Sequence, residues 1–198
     1  LSGKQRKCQF LIRTRFLFIP DNKKELNMSR QRYVALDVET TGLSPRNGHR
    51  IIEIGAVSIE GDRITEEFES LVNVERKISS KVQRIHGISN EMLVNQPKFE
   101  ELFPRLRSFL KNSIIVAHNA RFDRDFLKHE MKRLSLSVKN RYICTMEMGR
   151  KYYPGLPDYT LDTLYRHVFG EIPADIRRHR ALDDARMTAQ IWMDMVKR

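Results

Sequence analysis

Asp37 and Glu39 lie in Tyr33-Val34-Ala35-Leu36-Asp37-Val38-Glu39, whose β-branched and aromatic content predicts a strand. In a strand, residues i and i+2 point to one face, roughly 6.5–7 Å apart. Two carboxylates are thus aimed the same way beside an apolar segment. Like charges held together near a core raise one another's pKa unless a cation neutralises them. A hard divalent cation with oxygen ligands would do so, and Mg²⁺ is commonly held by one or two carboxylates plus phosphate oxygens. Alone, the pair reads more simply as two surface acids on an edge strand.

Two further segments add the same chemistry. Ser113 to Ala117 predicts a buried strand and Arg121 to Leu134 a helix, with Phe122, Phe126, Leu127, Met131 and Leu134 as its apolar stripe. Asn119 stands where an N-cap belongs, so Asp123 falls in the first helical turn, where acids also simply complement the helix dipole. Further on, Ile176-Arg177-Arg178-His179-Arg180 is a basic loop that leads into a predicted helix over 181–196. A helical wheel places Asp184 beside the apolar centre formed by Leu182, Ala185, Ala189, Trp192 and Val196. The same wheel sets Asp183 among Gln190, Asp194 and Lys197 on the polar, solvated face. His179, near the start of that helix, carries the one side chain in this set that titrates near working pH. A fourth stretch, Ile51-Ile52-Glu53-Ile54-Gly55-Ala56-Val57, reads as a strand in which Glu53 is not expected to be a ligand.

In order and separation these motifs resemble the DEDD exonuclease superfamily in its DEDDh branch, and most closely the epsilon proofreading subunits of bacterial DNA polymerase III. Asp37 and Glu39 match the first motif, Asp123 in His118-Asn119-Ala120-Arg121-Phe122-Asp123 the second, and His179 with Asp184 the third. Ile85-His86-Gly87-Ile88, Tyr159-Thr160-Leu161-Asp162 and His179-Arg180-Ala181-Leu182-Asp183-Asp184-Ala185 are lesser landmarks, and the likeness runs from about Arg32 onward.

The resemblance implies a metal-dependent 3′–5′ exonuclease that releases nucleoside 5′-monophosphates from a DNA 3′ end, single-stranded or frayed, in proofreading or repair. It implies two divalent ions, Mg²⁺ or Mn²⁺, held by Asp37, Glu39, Asp123 and Asp184, which is the arrangement that clamps an in-line phosphoryl displacement. His179 is then the general base on the attacking water. Thr40, Thr41, Gly42, Leu43, Asn119, Arg178 and Arg180 are the candidate substrate contacts, with Leu43 as a wedge beside the terminal base. His86 and His118 are expected to be structural, and Phe122 to be core. Nucleic acid is the implied partner, with a DNA polymerase subunit as a second. An exoribonuclease of the same superfamily and a non-catalytic nucleic-acid-binding module are the competing readings. Four clustered acids argue against the module, because they would repel phosphates.

The elements that must position these residues are predicted as follows: strands at 33–38, 50–59, 62–73, 113–117 and 141–144, and helices at 79–94, 99–111, 121–134, 145–153, 160–168 and 181–196. Glu60-Gly61-Asp62 is the expected hairpin turn. Three strands followed by alternating helices and strands predict an α/β fold with a mixed sheet flanked by helices, compatible with the ribonuclease H-like fold that the resemblance implies. The 198 residues suffice for one domain with a full core. The net charge of +11 favours a polyanionic partner, although residues 1–30, with eight basic and two acidic residues, supply +6 of it. Two cysteines, Cys8 and Cys144, offer neither a disulfide framework nor zinc spacing, so a reducing, cytoplasmic setting is expected, and no apolar run reaches bilayer-spanning length, so no membrane partner is expected. Residues 1–31, which lack a sustained period, read as a basic, poorly packed extension before an exonuclease domain over 32–198.

Overall fold

A computed structural model describes residues 31–137 and 139–198; the expected extension over 1–31 lies almost wholly outside them. Among these residues a five-stranded sheet runs in the order β3-β2-β1-β4-β5. Its strands are β1 (Arg32–Thr40), β2 (Ile51–Glu60), β3 (Arg63–Leu71), β4 (Ser113–Ala117) and β5 (Tyr142–Cys144). The first three form an antiparallel meander, and β4 and β5 run parallel to β1, so the mixed sheet expected from the order of elements is present. Gly61, with φ +62°, and Asp62 make the two-residue connection between β2 and β3. The helices are α1 (Ser80–His86), α2 (Asn90–Leu93), α3 (Phe99–Leu110), α4 (Ala120–Arg133), α5 (Thr145–Tyr152), α6 (Leu161–Phe169) and α7 (Ala181–Lys197). None is long and apolar enough to cross a membrane.

The alternation along β1 decides where the acids go. Val34, Leu36 and Val38 enter one core layer with Phe99, Leu102 and Phe126 of α3 and α4. Tyr33 and Ala35 enter the other, against Leu182, Ala189 and Trp192 of α7. Asp37 and Glu39 have the parity of Tyr33 and Ala35, so the α7 face of β1 turns from apolar to acidic at the carboxyl end of the strand. The β1–β2 pairing slips between Glu39 and Thr40, an irregularity of the bulge type that ends the ladder beside the acids.

Helix α7 lies unusually close to the sheet at Gly55. A Cβ added there would stand 2.1 Å from both the Ala181 carbonyl carbon and the Leu182 nitrogen. Both obstacles are backbone, so no side chain can swing away. Gly55→Ala is therefore expected to destabilise the protein by about 3 kcal/mol, the upper range for overpacking a tight contact. The check is the urea midpoint, and an unchanged midpoint would mean that α7 is free to move off β2.

Candidate active site

The chain ends of two parallel strands, β1 and β4, open onto one cleft, with α4 starting just after β4 and α7 lying across β1. Asp37 and Glu39 are half-buried on β1, Asp123 is buried in the first turn of α4, and Asp184 is buried in the first turn of α7. Glu39, His179 and Asp184 offer ligand atoms that all lie within 4.8 Å of one another. Asp37 is pushed well above the usual carboxylate range, first by burial and then by the charges of Asp123, Asp184, Glu39 and Glu53. Burial, with Asp184 and Glu53 beside it, raises Glu39 to about 8. Asp123 is raised to about 8 by burial, against hydrogen bonds from its own backbone and that of Val38. Asp184 reaches about 6, burial again leading, with Arg178 and His179 pulling it down. Among the described residues no salt bridge reaches Asp37, Glu39 or Asp123. Of the four, only Asp184 has an ion-pair partner among the described residues, Arg178, and such an all-oxygen set of mutually repelling carboxylates is the donor set that hard divalent cations take.

His179 is exposed and has φ +60°, a left-handed conformation that non-glycine residues rarely adopt. Backbone strain of that kind is held only where the surroundings impose it. Its neighbours supply the constraint. Arg178 pairs with both Asp162 and Asp184, and Arg180 pairs with Glu53 and Glu69. Both arginines, expected at the nucleic-acid backbone, are thus engaged by carboxylates.

The turn after β1 is rigid. Thr40 Oγ1 donates to the Gly42 carbonyl at 2.7 Å, and Thr41 exchanges backbone and side-chain hydrogen bonds with Arg50 while its hydroxyl meets His49 Nδ1 at 3.0 Å. Gly42 has no room for a Cβ, which would meet the His49 ring at 2.4 Å. The fixed turn holds Leu43 out in solvent, 88 % exposed. Leu43 is therefore not a core leucine. It shares an open groove of about 680 Å³ with Arg46, Asn119, Arg121, Phe122 and Lys128. Asn119 takes the N-cap position of α4 as expected, but at φ 65° and without a side-chain cap bond. Phe122 packs partly against the core and against Phe126, with ring centroids 4.8 Å apart.

His118 and His86, the two other histidines of the motifs, are built into the fold. His118 Nε2 donates to the Tyr159 carbonyl and Nδ1 accepts from the Thr145 hydroxyl, each at 3.0 Å, and burial pushes its pKa down to about 4. His86 is buried, and its Nδ1 accepts from the Ile88 N–H at 3.0 Å.

One expectation fails. Asp183 is buried rather than solvated: it accepts from the Arg177 N–H at 3.1 Å and from Arg186 Nη1 at 2.7 Å. A helical wheel knows only the helix, and here the loop before α7 folds back over its polar side. Glu53, not expected to be a ligand, is absent from the group of possible ligands among the described residues. It is fully buried, and an acid inside an unbroken apolar run must find a cationic partner.

Comparison with known proteins adds an independent line. Residues 34–192 match the family model RNase_T, described as Exonuclease. The chain is 38% identical over 176 residues to "DNA polymerase III subunit epsilon" of Rickettsia conorii, covering 85% of this chain and 75% of that protein. It is 42% identical over 166 residues to "DNA polymerase III PolC-type" of Caldanaerobacter subterraneus subsp. tengcongensis, covering 84% of this chain but only 12% of that protein. Among solved structures, "Exonuclease X in complex with 5' overhanging duplex DNA" superposes with a TM-score of 0.68 at 30% identity, over 84% of this chain and 91% of that one.

Proposed function

This chain belongs to the exonuclease (RNase_T) family, in its DEDDh branch, and on that premise we propose that it shortens DNA from the 3′ end by metal-dependent hydrolysis. The observation that carries the reading is the convergence of Asp37, Glu39, Asp123 and Asp184, from three separate elements, on one cleft that His179 overlooks. These four acids would hold two Mg²⁺ or Mn²⁺ ions, which would supply an activated water and neutralise charge on the leaving 3′ oxygen. The acids hold and orient; the imidazole moves the proton. His179 takes a proton from the attacking water as the new O–P bond forms. The bond from phosphorus to the 3′ oxygen breaks, that oxygen takes a proton from solvent water, a nucleoside 5′-monophosphate departs, and the shortened strand keeps a 3′-hydroxyl. Leu43, fixed by the turn at Thr40-Thr41-Gly42, wedges beside the terminal base, and Asn119 lies along the adjoining groove.

The likeness to an epsilon subunit and to a PolC-type polymerase supports DNA as substrate, a proofreading or repair role in the cytoplasm, and a DNA polymerase as partner. An RNA substrate would use the same acids, so the discriminating contact is with the terminal 2′-hydroxyl. The test is a 5′-labelled DNA oligomer with a deoxy- or a single ribonucleotide at its 3′ end. Faster removal of the deoxynucleotide is expected. Faster removal of the ribonucleotide would move the assignment to an exoribonuclease.

A further inference from the structure

The register of β1 with β2 sets Glu53 opposite Glu39 and Gly55 opposite Asp37. Residues paired across an antiparallel ladder share a face, with Cβ atoms about 4.5–5.5 Å apart. Each acid that β1 turns into the cleft therefore has a β2 neighbour on the same face. Gly55 is the bare one, and the backbone of Ala181 and Leu182 fills its space. Glu53 is the charged one, and it has no exposed surface.

All the bonding capacity of Glu53 goes to the two residues that follow His179. Its Oε1 accepts from Arg180 Nε at 2.9 Å and Nη2 at 2.6 Å, and its Oε2 accepts from the Ala181 N–H at 2.9 Å. Arg180 also reaches Glu69 on β3 at 3.5 Å. Glu53 thus caps α7 from the sheet: it takes an amide that the start of a helix leaves free and places negative charge at the positive end of the helix dipole. The N-cap residue itself, Arg180, makes no side-chain cap bond. For stability alone, a neutral apolar pair of similar volume would serve as well as this buried ion pair. What an apolar pair lacks is direction. A two-pronged guanidinium–carboxylate contact fixes angle as well as distance, and it does so between His179, one residue before Arg180, and Asp184, four residues after it.

We propose that Glu53 and Arg180 are positioning residues of the cleavage site, which seat the start of α7 on β2 so that His179 and Asp184 face Glu39. The proposal rests on the exonuclease reading above. It removes Arg180 from the substrate contacts: its guanidinium holds the loop and does not meet the phosphate backbone. Its fork faces Glu53 and Glu69, while its charge still lowers the pKa of Glu39.

The test compares the parent with Arg180→Lys, Arg180→Met and the double variant Glu53→Gln/Arg180→Met, which leaves no lone charge in the interior. Two readouts are taken: steady-state cleavage of a 5′-labelled DNA oligomer, and Mn²⁺ binding by titration calorimetry. Removing contacts that orient metal ligands costs about 10–100-fold in activity or metal affinity. The double variant is therefore expected to lose kcat and Mn²⁺ affinity by that factor, with KM within about threefold of the parent. Arg180→Lys keeps the charge without the fork, and partial recovery is expected. Arg180→Lys also carries the test should the double variant fail to fold. The proposal is overturned if Arg180→Met raises KM with kcat intact and makes binding less salt-dependent by about one phosphate contact, because Arg180 then grips the backbone. It is equally overturned if the double variant keeps parental kcat and Mn²⁺ affinity. A parent that binds Mn²⁺ but cleaves nothing would sink the exonuclease reading instead, while the calorimetry still reads the positioning role.

Discussion

In a chelating buffer at pH 8, Asp123→Asn is expected to melt higher than the parent, by about 4–8 °C, while losing cleavage by on the order of 10³-fold. Asp123 is buried in a cleft of like charges, and its carboxyl is raised to about 8. A carboxyl whose folded pKa lies above the unfolded one binds more protons when folded. Stability from it is fully present below the unfolded value near 4, and declines as pH rises through the folded value. At pH 8 the metal-free parent therefore carries the cost of ionising a buried group among other acids, which asparagine avoids. Parent and variant should draw together toward pH 4, where the folded acid is protonated and the unfolded one about half so. Divalent cation should reverse the order at pH 8, because an ion that binds only the folded parent stabilises it by mass action. Differential scanning fluorimetry at both pH values, with EDTA and with Mn²⁺, reads all of this. Equal melting temperatures at pH 8 in EDTA would mean that Asp123 is not under electrostatic load.

His179→Ala is expected to lower kcat by about 10²–10⁴-fold, the usual contribution of a positioned general base. Because the ring is exposed, its loss should cost little stability. His179→Gly makes a sharper control, since glycine relaxes the left-handed φ of +60° and should melt no lower than the parent while being equally slow. The Mn²⁺ affinity of both variants separates the base from a direct ligand, because the ring nitrogen lies within 4.8 Å of the Glu39 and Asp184 oxygens. A kcat within about threefold of the parent would remove His179 from the chemistry.

Much of this was legible in the residues themselves. The strand alternation that aims Asp37 and Glu39 together, and the strand-to-helix junction that carries Asp123, follow from periods of 2 and 3.6 that any chain must obey. The role of Glu53 was hidden, because it depends on a cross-strand register, Glu39 to Glu53, that one strand read alone does not contain. Its signal was a charge inside an apolar run, which demands a partner without saying where the partner lies. Asp183 was misplaced for a related reason: Arg177 and Arg186 close over it, and Arg186 also reaches Glu67 on β3. The sequence did not settle how far Leu43 is exposed, since that depends on the turn held by Thr41, Arg50 and His49, which leaves it in solvent.

The most direct measurement follows a 5′-labelled DNA primer with a mismatched 3′ end, with Mg²⁺ or Mn²⁺ and with EDTA, using the parent and Asp184→Ala. A ladder that shortens one nucleotide at a time from the 3′ end, only with metal and only with Asp184, is the expected result. A primer that stays full length while remaining tightly bound would contradict it and leave a nucleic-acid-binding module.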